Sequence, residues 1–323
     1  MMNDLEIPTL WDVLRARQVI APYLRPTPLY PYPGLSDLTG ASVWVKHENH
    51  QPVGAFKVRG GVNLIAQMST EERARGVIAA STGNHGQSVA YAARLFGARA
   101  IIAVPHGANP GKVAAMQALG AEVVFQGESF DEARLWAETQ TVLHGYRYIH
   151  SGDEPLLIAG VGTYALEILE ALPDVDAIFV PIGGGSGAAG VCTVVKALRP
   201  QVQVIGVQSE AAPAAYLSWK ERRLLSVPAR TAAEGLATGT AFELPQRILR
   251  QHLDGFILVS EAEIRHAIVL LLEHCHNLAE GAGAAPLAGL LHLKDHFVGR
   301  RVVLVLSGGN LSLEQLRRAL DDR

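Results

Sequence analysis

The sequence predicts an α/β protein with mostly parallel sheets, helices on both faces and two packed units. Apolar residues make up 49% of the 323 residues and charged residues 18%, which is enough apolar material for a large core. Short β-branched segments alternate with helical segments along most of the chain, as in successive strand–helix–strand units. The length exceeds that of one average domain, so two units are expected.

The alternating segments predict the individual elements. Apolar, β-branched runs predict strands at 42–45, 76–81, 100–104, 122–125, 177–181, 202–207 and 302–306. Amphipathic or apolar segments between them predict helices at 85–96, 112–119, 131–143, 163–172, 188–198 and 313–320. We expect a small unit at residues 76–153, inserted into a larger unit that residues 1–75 and 154–323 form together.

Charge and composition exclude several classes of protein. Net charge is −3, and the 28 basic and 31 acidic residues are spread along the chain, so neither nucleic acid nor a membrane surface is an expected partner. Apolar runs such as 267–272 are far shorter than the ~20 residues of a membrane span. Residues 1–6 are polar, unlike a signal peptide, and Cys192 and Cys275 are expected to be reduced. A cytoplasmic protein is predicted.

Lys57 is a candidate nucleophile. It lies between Phe56 and Val58, after a strand and a turn containing Pro52 and Gly54, near an expected helix start. Apolar surroundings lower the pKa of an ammonium group, as an amine nucleophile requires. The local context alone also fits a lysine that extends to solvent. The other lysines lie in strand or helix contexts that suit catalysis less: Lys46, Lys112, Lys196, Lys220 and Lys294.

Two loops between a strand and a helix are candidate anion sites. Residues 81–87 (STGNHGQ) offer hydroxyls and a helix N-terminus, which suit a carboxylate, although a simple helix cap explains part of the pattern. Residues 183–187 (GGGSG) lack bulky side chains, so backbone amides can surround a phosphate. Close packing of strand and helix is the alternative explanation for these glycines.

The same glycine segment contains Gly185-x-Gly187-x-x-Gly190, the fingerprint of dinucleotide-binding proteins, with Glu210 about 20 residues further on. A nicotinamide-dependent dehydrogenase is therefore an alternative from another class. A fourth candidate segment, Ser307 to Asn310, follows the last strand and fits either a ring-nitrogen contact or a plain turn with a helix cap.

Taken together, these motifs resemble the fold-type-II pyridoxal-phosphate enzymes, whose fold is that of the tryptophan synthase β chain. The resemblance is to the threonine/serine dehydratase and serine racemase branch. It extends over most of the chain, with the motifs in the family's order. The segments that carry it are Lys46 to Pro52 with Phe56 to Gly60, Ser81 to His85, Ile158 to Thr163, Gly183 to Gly187, Glu280 to Ala284 and Ser307 to Asn310.

The resemblance implies a role for each matching residue. Lys57 would hold pyridoxal phosphate as a Schiff base and move the Cα proton, and Phe56 would lie beside the ring. Other implied cofactor contacts are Asn84, Gly183, Gly184, Gly185, Ser186, Gly187, Glu280 and Ser307. The implied substrate contacts are Ser81, Thr82, Gly83, Asn84, His85 and Gly235. Thr82 is also a catalytic candidate.

The chain departs from the family pattern at several positions. Thr82 replaces the second serine of the usual loop, which in the racemase acts on the opposite face of the substrate, so racemisation is less expected. Ala55 replaces a small polar residue. The racemase-type metal site uses carboxylates near Gln208 and Ala214, neither of which is acidic here, so no metal is predicted.

The predicted activity is β-elimination. A small β-hydroxy amino acid such as L-threonine or L-serine would lose water and ammonia to give a 2-oxo acid. The alternatives are a dehydratase for a bulky substrate such as phenylserine, an amino-acid racemase, and the dehydrogenase. A homodimer is expected from the family.

Overall fold

The computed structural model describes residues 5–321. In chain order its helices are α1 (Leu10–Ile20), α2 (Pro33–Thr39), α3 (Lys57–Ala66), α4 (Thr70–Arg75), α5 (Asn84–Leu95), α6 (Pro110–Ala118), α7 (Phe130–His144), α8 (Pro155–Ala171), α9 (Ser186–Leu198), α10 (Ala214–Lys220), α11 (Glu243–His252), α12 (Glu261–Cys275), α13 (Gly281–His292) and α14 (Leu313–Asp321). The strands are β1 (Leu29–Pro31), β2 (Ser42–His47), β3 (Val77–Ala80), β4 (Ala100–Val104), β5 (Glu122–Phe125), β6 (Arg147–Tyr148), β7 (Ala177–Pro181), β8 (Gln203–Ser209), β9 (Gly255–Val259) and β10 (Arg301–Leu306). Short 3₁₀ helices lie at Glu48–His50, Glu234–Leu236 and Lys294–His296.

The strands form two sheets. The larger has the order β1-β2-β10-β7-β8-β9, in which β1 is antiparallel to β2 and the other neighbours are parallel. The smaller has the order β5-β4-β3-β6 and is parallel throughout. The predicted fold class, α/β with mostly parallel sheets, is confirmed. All strands of the smaller sheet lie within the predicted inserted segment, whose exact boundaries stay a prediction.

Helices cover both faces of the larger sheet. Successive side chains of a strand point to opposite faces, and Ile178 and Val180 of β7 pack in one apolar cluster with α8 and α9. Ala177 and Phe179 of the same strand belong to a second cluster with α12 and α13. The alternation places one core on each side of the sheet.

Helix α8 is longer than the sequence predicts. It begins at Pro155, eight residues before the expected start at Thr163, and it includes Gly160 and Gly162. A Cβ at Gly160 would lie 2.6 Å from the carbonyl oxygen of Arg59, and a Cβ at Gly190 would lie 2.8 Å from the amide nitrogen of Gly162. These glycines let the backbones of α3, α8 and α9 approach closely, a packing role that local pattern does not reveal.

Candidate active site

The candidate site lies where strands of both sheets end. In the larger sheet, β2 leads to the turn before Lys57, β7 to the glycine loop (residues 183–187) and β10 to Ser307. In the smaller sheet, β3 leads to the carboxylate loop (residues 81–85). Parallel strands end at the same edge of a sheet, so these four loops face a common cleft, the position at which open α/β sheets bind ligands.

Lys57 is the first residue of α3, and uncharged groups surround its amine. Nζ donates hydrogen bonds to the carbonyl oxygen of Ser151 at 2.8 Å and to Oγ of Ser186 at 2.7 Å. Desolvation lowers the pKa of Lys57 to about 8. The lowered pKa leaves a larger fraction of the amine unprotonated near neutral pH than in an ordinary lysine. The site therefore supplies an amine nucleophile near neutral pH.

Phe56 links Lys57 to the end of β10. Its amide donates to the carbonyl oxygen of Ser307 at 3.0 Å, and its ring packs edge-on against Tyr164 of α8, with the ring centroids 6.2 Å apart. The hydroxyl of Tyr164 donates to the carbonyl oxygen of Gly187 at 3.2 Å. Helix α8 thus contacts both the residue before Lys57 and the glycine loop.

The glycine loop is too tightly surrounded for side chains. A Cβ at Gly183 would lie 2.2 Å from the carbonyl oxygen of Gly235, and one at Gly184 would lie 2.1 Å from the Phe242 ring. Gly185 has a φ of +91° and caps α9, which begins at Ser186. Its conformation favours glycine. Loop amides and the positive end of α9 converge here, which defines an anion site suited to a phosphate.

A chain of hydrogen-bonded polar side chains crosses the cleft at Asn84, and of these Glu280 is buried. Its Nδ2 donates to Oε1 of Glu280 at 2.6 Å, and its Oδ1 accepts from Nδ2 of Asn310 at 2.8 Å. Burial raises the pKa of Glu280. Asn84 comes from the smaller sheet, whereas Glu280 and Asn310 flank the larger one. The contacts therefore hold the Asn84 amide in one orientation.

Two side chains of the carboxylate loop already bond to backbone groups of the protein. The hydroxyl of Ser81 accepts hydrogen bonds from the amides of Gly83 at 3.2 Å and Gly86 at 2.8 Å, so it fixes the turn into α5. His85 is buried, and its Nε2 lies 3.0 Å from the carbonyl oxygen of Ile149. Desolvation and the nearby Lys57 lower the pKa of His85 to about 3. A neutral His85 brings no positive charge to the loop, and Thr82 is half-buried beside it.

The remaining predicted residues also lie around this cleft. Ser307 is buried directly after β10, and Gly235 lies against both the glycine loop and Ala282. The sequence did not single out Ser151, Tyr164 or Phe242. Ser151 follows a strand of only two residues, and Phe242 lies far from the glycine loop along the chain, so neither carried a local signal.

Within residues 5–321, no helix is long and apolar enough to cross a membrane. In the same range, no three side chains of His, Cys, Asp or Glu come together as metal ligands.

The fold and the site define a class: an α/β protein in which a half-buried lysine with a lowered pKa adjoins a glycine loop at a helix N-terminus. Comparison with known proteins names the family. The model for "Pyridoxal-phosphate dependent enzyme" matches residues 20–308. The chain belongs to this family of pyridoxal-phosphate enzymes, within its fold-type-II threonine/serine dehydratase branch. The family identifies the cofactor as pyridoxal phosphate and lends no support to the nicotinamide alternative.

Individual relatives agree with this assignment. An L-threonine ammonia-lyase of Thermotoga maritima is 40% identical over 314 residues, which cover 97% of this chain and 78% of that protein. The processed form of threonine deaminase isoform 2 from Solanum lycopersicum superposes with a TM-score of 0.92 at 33% identity, covering 97% of this chain and 92% of that one. Maize serine racemase superposes with a TM-score of 0.92 at 28% identity, covering 98% of each chain.

Gly184→Ala is expected to weaken pyridoxal-phosphate binding by ~10-fold or more, because the added Cβ displaces either Phe242 or the loop that forms the anion site. Titration of the cofactor-free protein with pyridoxal phosphate measures the change. Gly107→Ala is the matched control, since a Cβ there meets no atom within 4 Å. Equal affinities for the parent and both variants would contradict a tight cradle at Gly184.

Proposed function

We propose that this chain is an L-threonine ammonia-lyase that uses Lys57 as its cofactor-binding amine. The observation that carries the proposal is the position of Lys57, which is desolvated, bonded to uncharged oxygens and adjacent to the glycine loop through Ser186. The identity of 40% over almost the whole chain with an L-threonine ammonia-lyase supports threonine as the substrate.

The residues of the cleft fit pyridoxal phosphate. Neighbouring atoms leave no space for side chains at Gly183 and Gly184, so the loop offers its backbone amides to a ligand. Residues 183–187 would therefore hold the phosphate. Phe56 would lie beside the ring and Asn84 would bond its hydroxyl, with Glu280 holding the Asn84 amide. Ser307 would face the ring nitrogen. A neutral hydroxyl there does not enforce a positive ring, which suits β-elimination better than transamination.

Pyridoxal phosphate, when bound, supplies an electron-withdrawing ring that stabilises negative charge at the substrate Cα. Lys57 Nζ, with its lowered pKa, then removes the Cα proton as a general base. The β-hydroxyl leaves with a proton as water. Water subsequently hydrolyses the enamine product to 2-oxobutanoate and ammonia, so one water is released and one is taken up.

The carboxylate loop would bind the substrate carboxylate mainly through backbone amides near Thr82, Gly83 and Asn84, at the positive end of α5. Ser81 and His85 would support the loop, because their side chains already bond to backbone groups. Gly235 would border the substrate from the opposite side. The hydroxyl of Thr82 would face the substrate, and Thr82 is the residue most relevant to the racemase alternative.

A substrate panel tests this function. We expect the purified holoenzyme to release 2-oxo acid and ammonia from L-threonine, with L-serine slower, because the relatives act on threonine. Chiral chromatography of the same reactions detects any D-isomer. A preference for phenylserine, or D-isomer formation faster than 2-oxo acid release, would replace the proposed function with one of its alternatives.

We further propose a cytoplasmic homodimer in which residues 76–153 act as a small domain on the larger one. The two cysteines are free and buried, which suits a reducing compartment. The separate four-stranded sheet supports the small domain. The dimer rests on the family resemblance, and sedimentation velocity of the purified chain tests it.

A further inference from the structure

We infer that Lys112 and Glu234 form a clasp that positions the carboxylate loop against the cofactor side of the cleft. This inference rests on the proposed function, because the clasp is assigned to the same reaction. Neither residue is among the groups that contact cofactor or substrate in the scheme above. Both are positioning residues that act through the loops they hold.

The ion pair joins the two sheets. Lys112 lies in the first turn of α6, directly after β4 of the smaller sheet, and Asn109 caps this helix. Glu234 begins the 3₁₀ turn that follows α10 on the side of the larger sheet. Their Nζ and Oε2 atoms are 2.6 Å apart. The contact therefore crosses the cleft between elements that are far apart in sequence.

Each partner adjoins a loop of the site. A Cβ at Gly83 would lie 3.8 Å from Nζ of Lys112, so the lysine borders the carboxylate loop. Glu234 precedes Gly235, whose carbonyl oxygen would lie only 2.2 Å from a Cβ added at Gly183 of the glycine loop. Lys112 and Glu234 also line a narrow cleft with Glu280. The pair thus ties the carboxylate loop to the segment that backs the glycine loop.

The exposure of the pair argues for a role in positioning more than in folding. The Lys112 side chain is 11% exposed and that of Glu234 is 34% exposed, so solvent reaches one partner. Because Glu234 is partly solvated, the pair is expected to add less to global stability than a fully buried ion pair would. Loss of the pair frees the smaller sheet to move away from the larger one, which opens the cleft and misplaces the carboxylate loop.

Variants of both partners, compared as holoenzymes, test the clasp. Lys112→Met and Glu234→Gln are each expected to lower kcat/KM for L-threonine by ~10-fold and to accelerate removal of the bound cofactor by hydroxylamine several-fold. Lys112→Arg is expected to keep both rates within ~3-fold of the parent, because it keeps a cation opposite Glu234. Glu122→Gln is the control, because it breaks an exposed ion pair between Glu122 and Arg99 in the smaller sheet, away from the cleft loops.

The outcomes separate the clasp from the proposed function. A Lys112→Arg variant as impaired as Lys112→Met would overturn the clasp, as would Lys112→Met or Glu234→Gln with parental rates. A parent that does not act on threonine would overturn the proposed function alone, since hydroxylamine access still measures the clasp. Parental melting temperatures in the single variants support a positioning role, whereas a collapse in melting temperature that accounts for the loss of activity would count against it.

Discussion

Lys57→Ala is expected to abolish covalent binding of pyridoxal phosphate and to lower turnover of L-threonine by at least ~10³-fold, because one amine serves as both cofactor attachment and general base. Among the lysines within residues 5–321, Lys57 has a pKa lowered by desolvation and donates to Oγ of Ser186 in the glycine loop. Borohydride reduction of the holoenzyme followed by peptide mapping identifies the labelled lysine, and an assay of 2-oxo acid release gives the turnover.

Lys220→Ala is the control for this variant, since Lys220 lies on the exposed end of α10. Capture of pyridoxal phosphate by the cofactor-free parent is expected to speed up as pH rises, with a midpoint near the lowered pKa of about 8 instead of the ordinary value for lysine. Label on any other lysine, or parental turnover in Lys57→Ala, would refute the assignment of the nucleophile.

Arg59→Met is expected to destabilise the protein by about 3–5 kcal/mol, because it breaks a buried ion cluster made of Lys46, Glu48, Arg59 and Glu167. The guanidinium bonds both oxygens of Glu48 at 2.7 and 2.8 Å and both oxygens of Glu167 at 2.6 and 2.9 Å. Burial alone would raise the pKa of Glu167, but Arg59 and Lys46 together lower it. Without the guanidinium, the buried carboxylate of Glu48 and the largely buried carboxylate of Glu167 face a single ammonium.

Urea unfolding of the cofactor-free proteins measures the loss. Arg17→Gln is the matched control, because Arg17 also pairs with a glutamate of α8, Glu170, but the two side chains are 43% and 62% exposed. This control is expected to change the free energy of unfolding by less than about 1 kcal/mol. If Arg59→Met were no more destabilising than Arg17→Gln, the cluster would not be an important support for α3.

The fold class and the family followed from patterns that are local in sequence. Glycines between a buried strand and a helix identify an anion loop, because backbone access and helix polarity act over a few residues, as at 183–187. Lys57 was ambiguous from its neighbours and became clear only through the motif around it. The burial that lowers its pKa comes from residues distant in sequence, including Ser151 and Ser186.

Other features depended on tertiary contacts and could not be predicted. The helix predicted from Thr163 begins at Pro155, and neighbouring helices occupy the space that side chains at Gly160 and Gly162 would need. His85 was expected to help hold a carboxylate, but its burial and its contact with Ile149 depend on the short strand β6. The pairing of Lys112 with Glu234 joins residues with no shared motif.

The glycine-mediated stacking of α3, α8 and α9 has a mechanical consequence. Lys57 begins the first of these helices and the phosphate loop begins the last, while the main chains between them touch with no intervening side chains. Such a stack is stiff, so the amine of Lys57 and the glycine loop keep a constant spacing when other segments move. Substrate can then enter or leave the cleft without a change in the residues that would hold the cofactor.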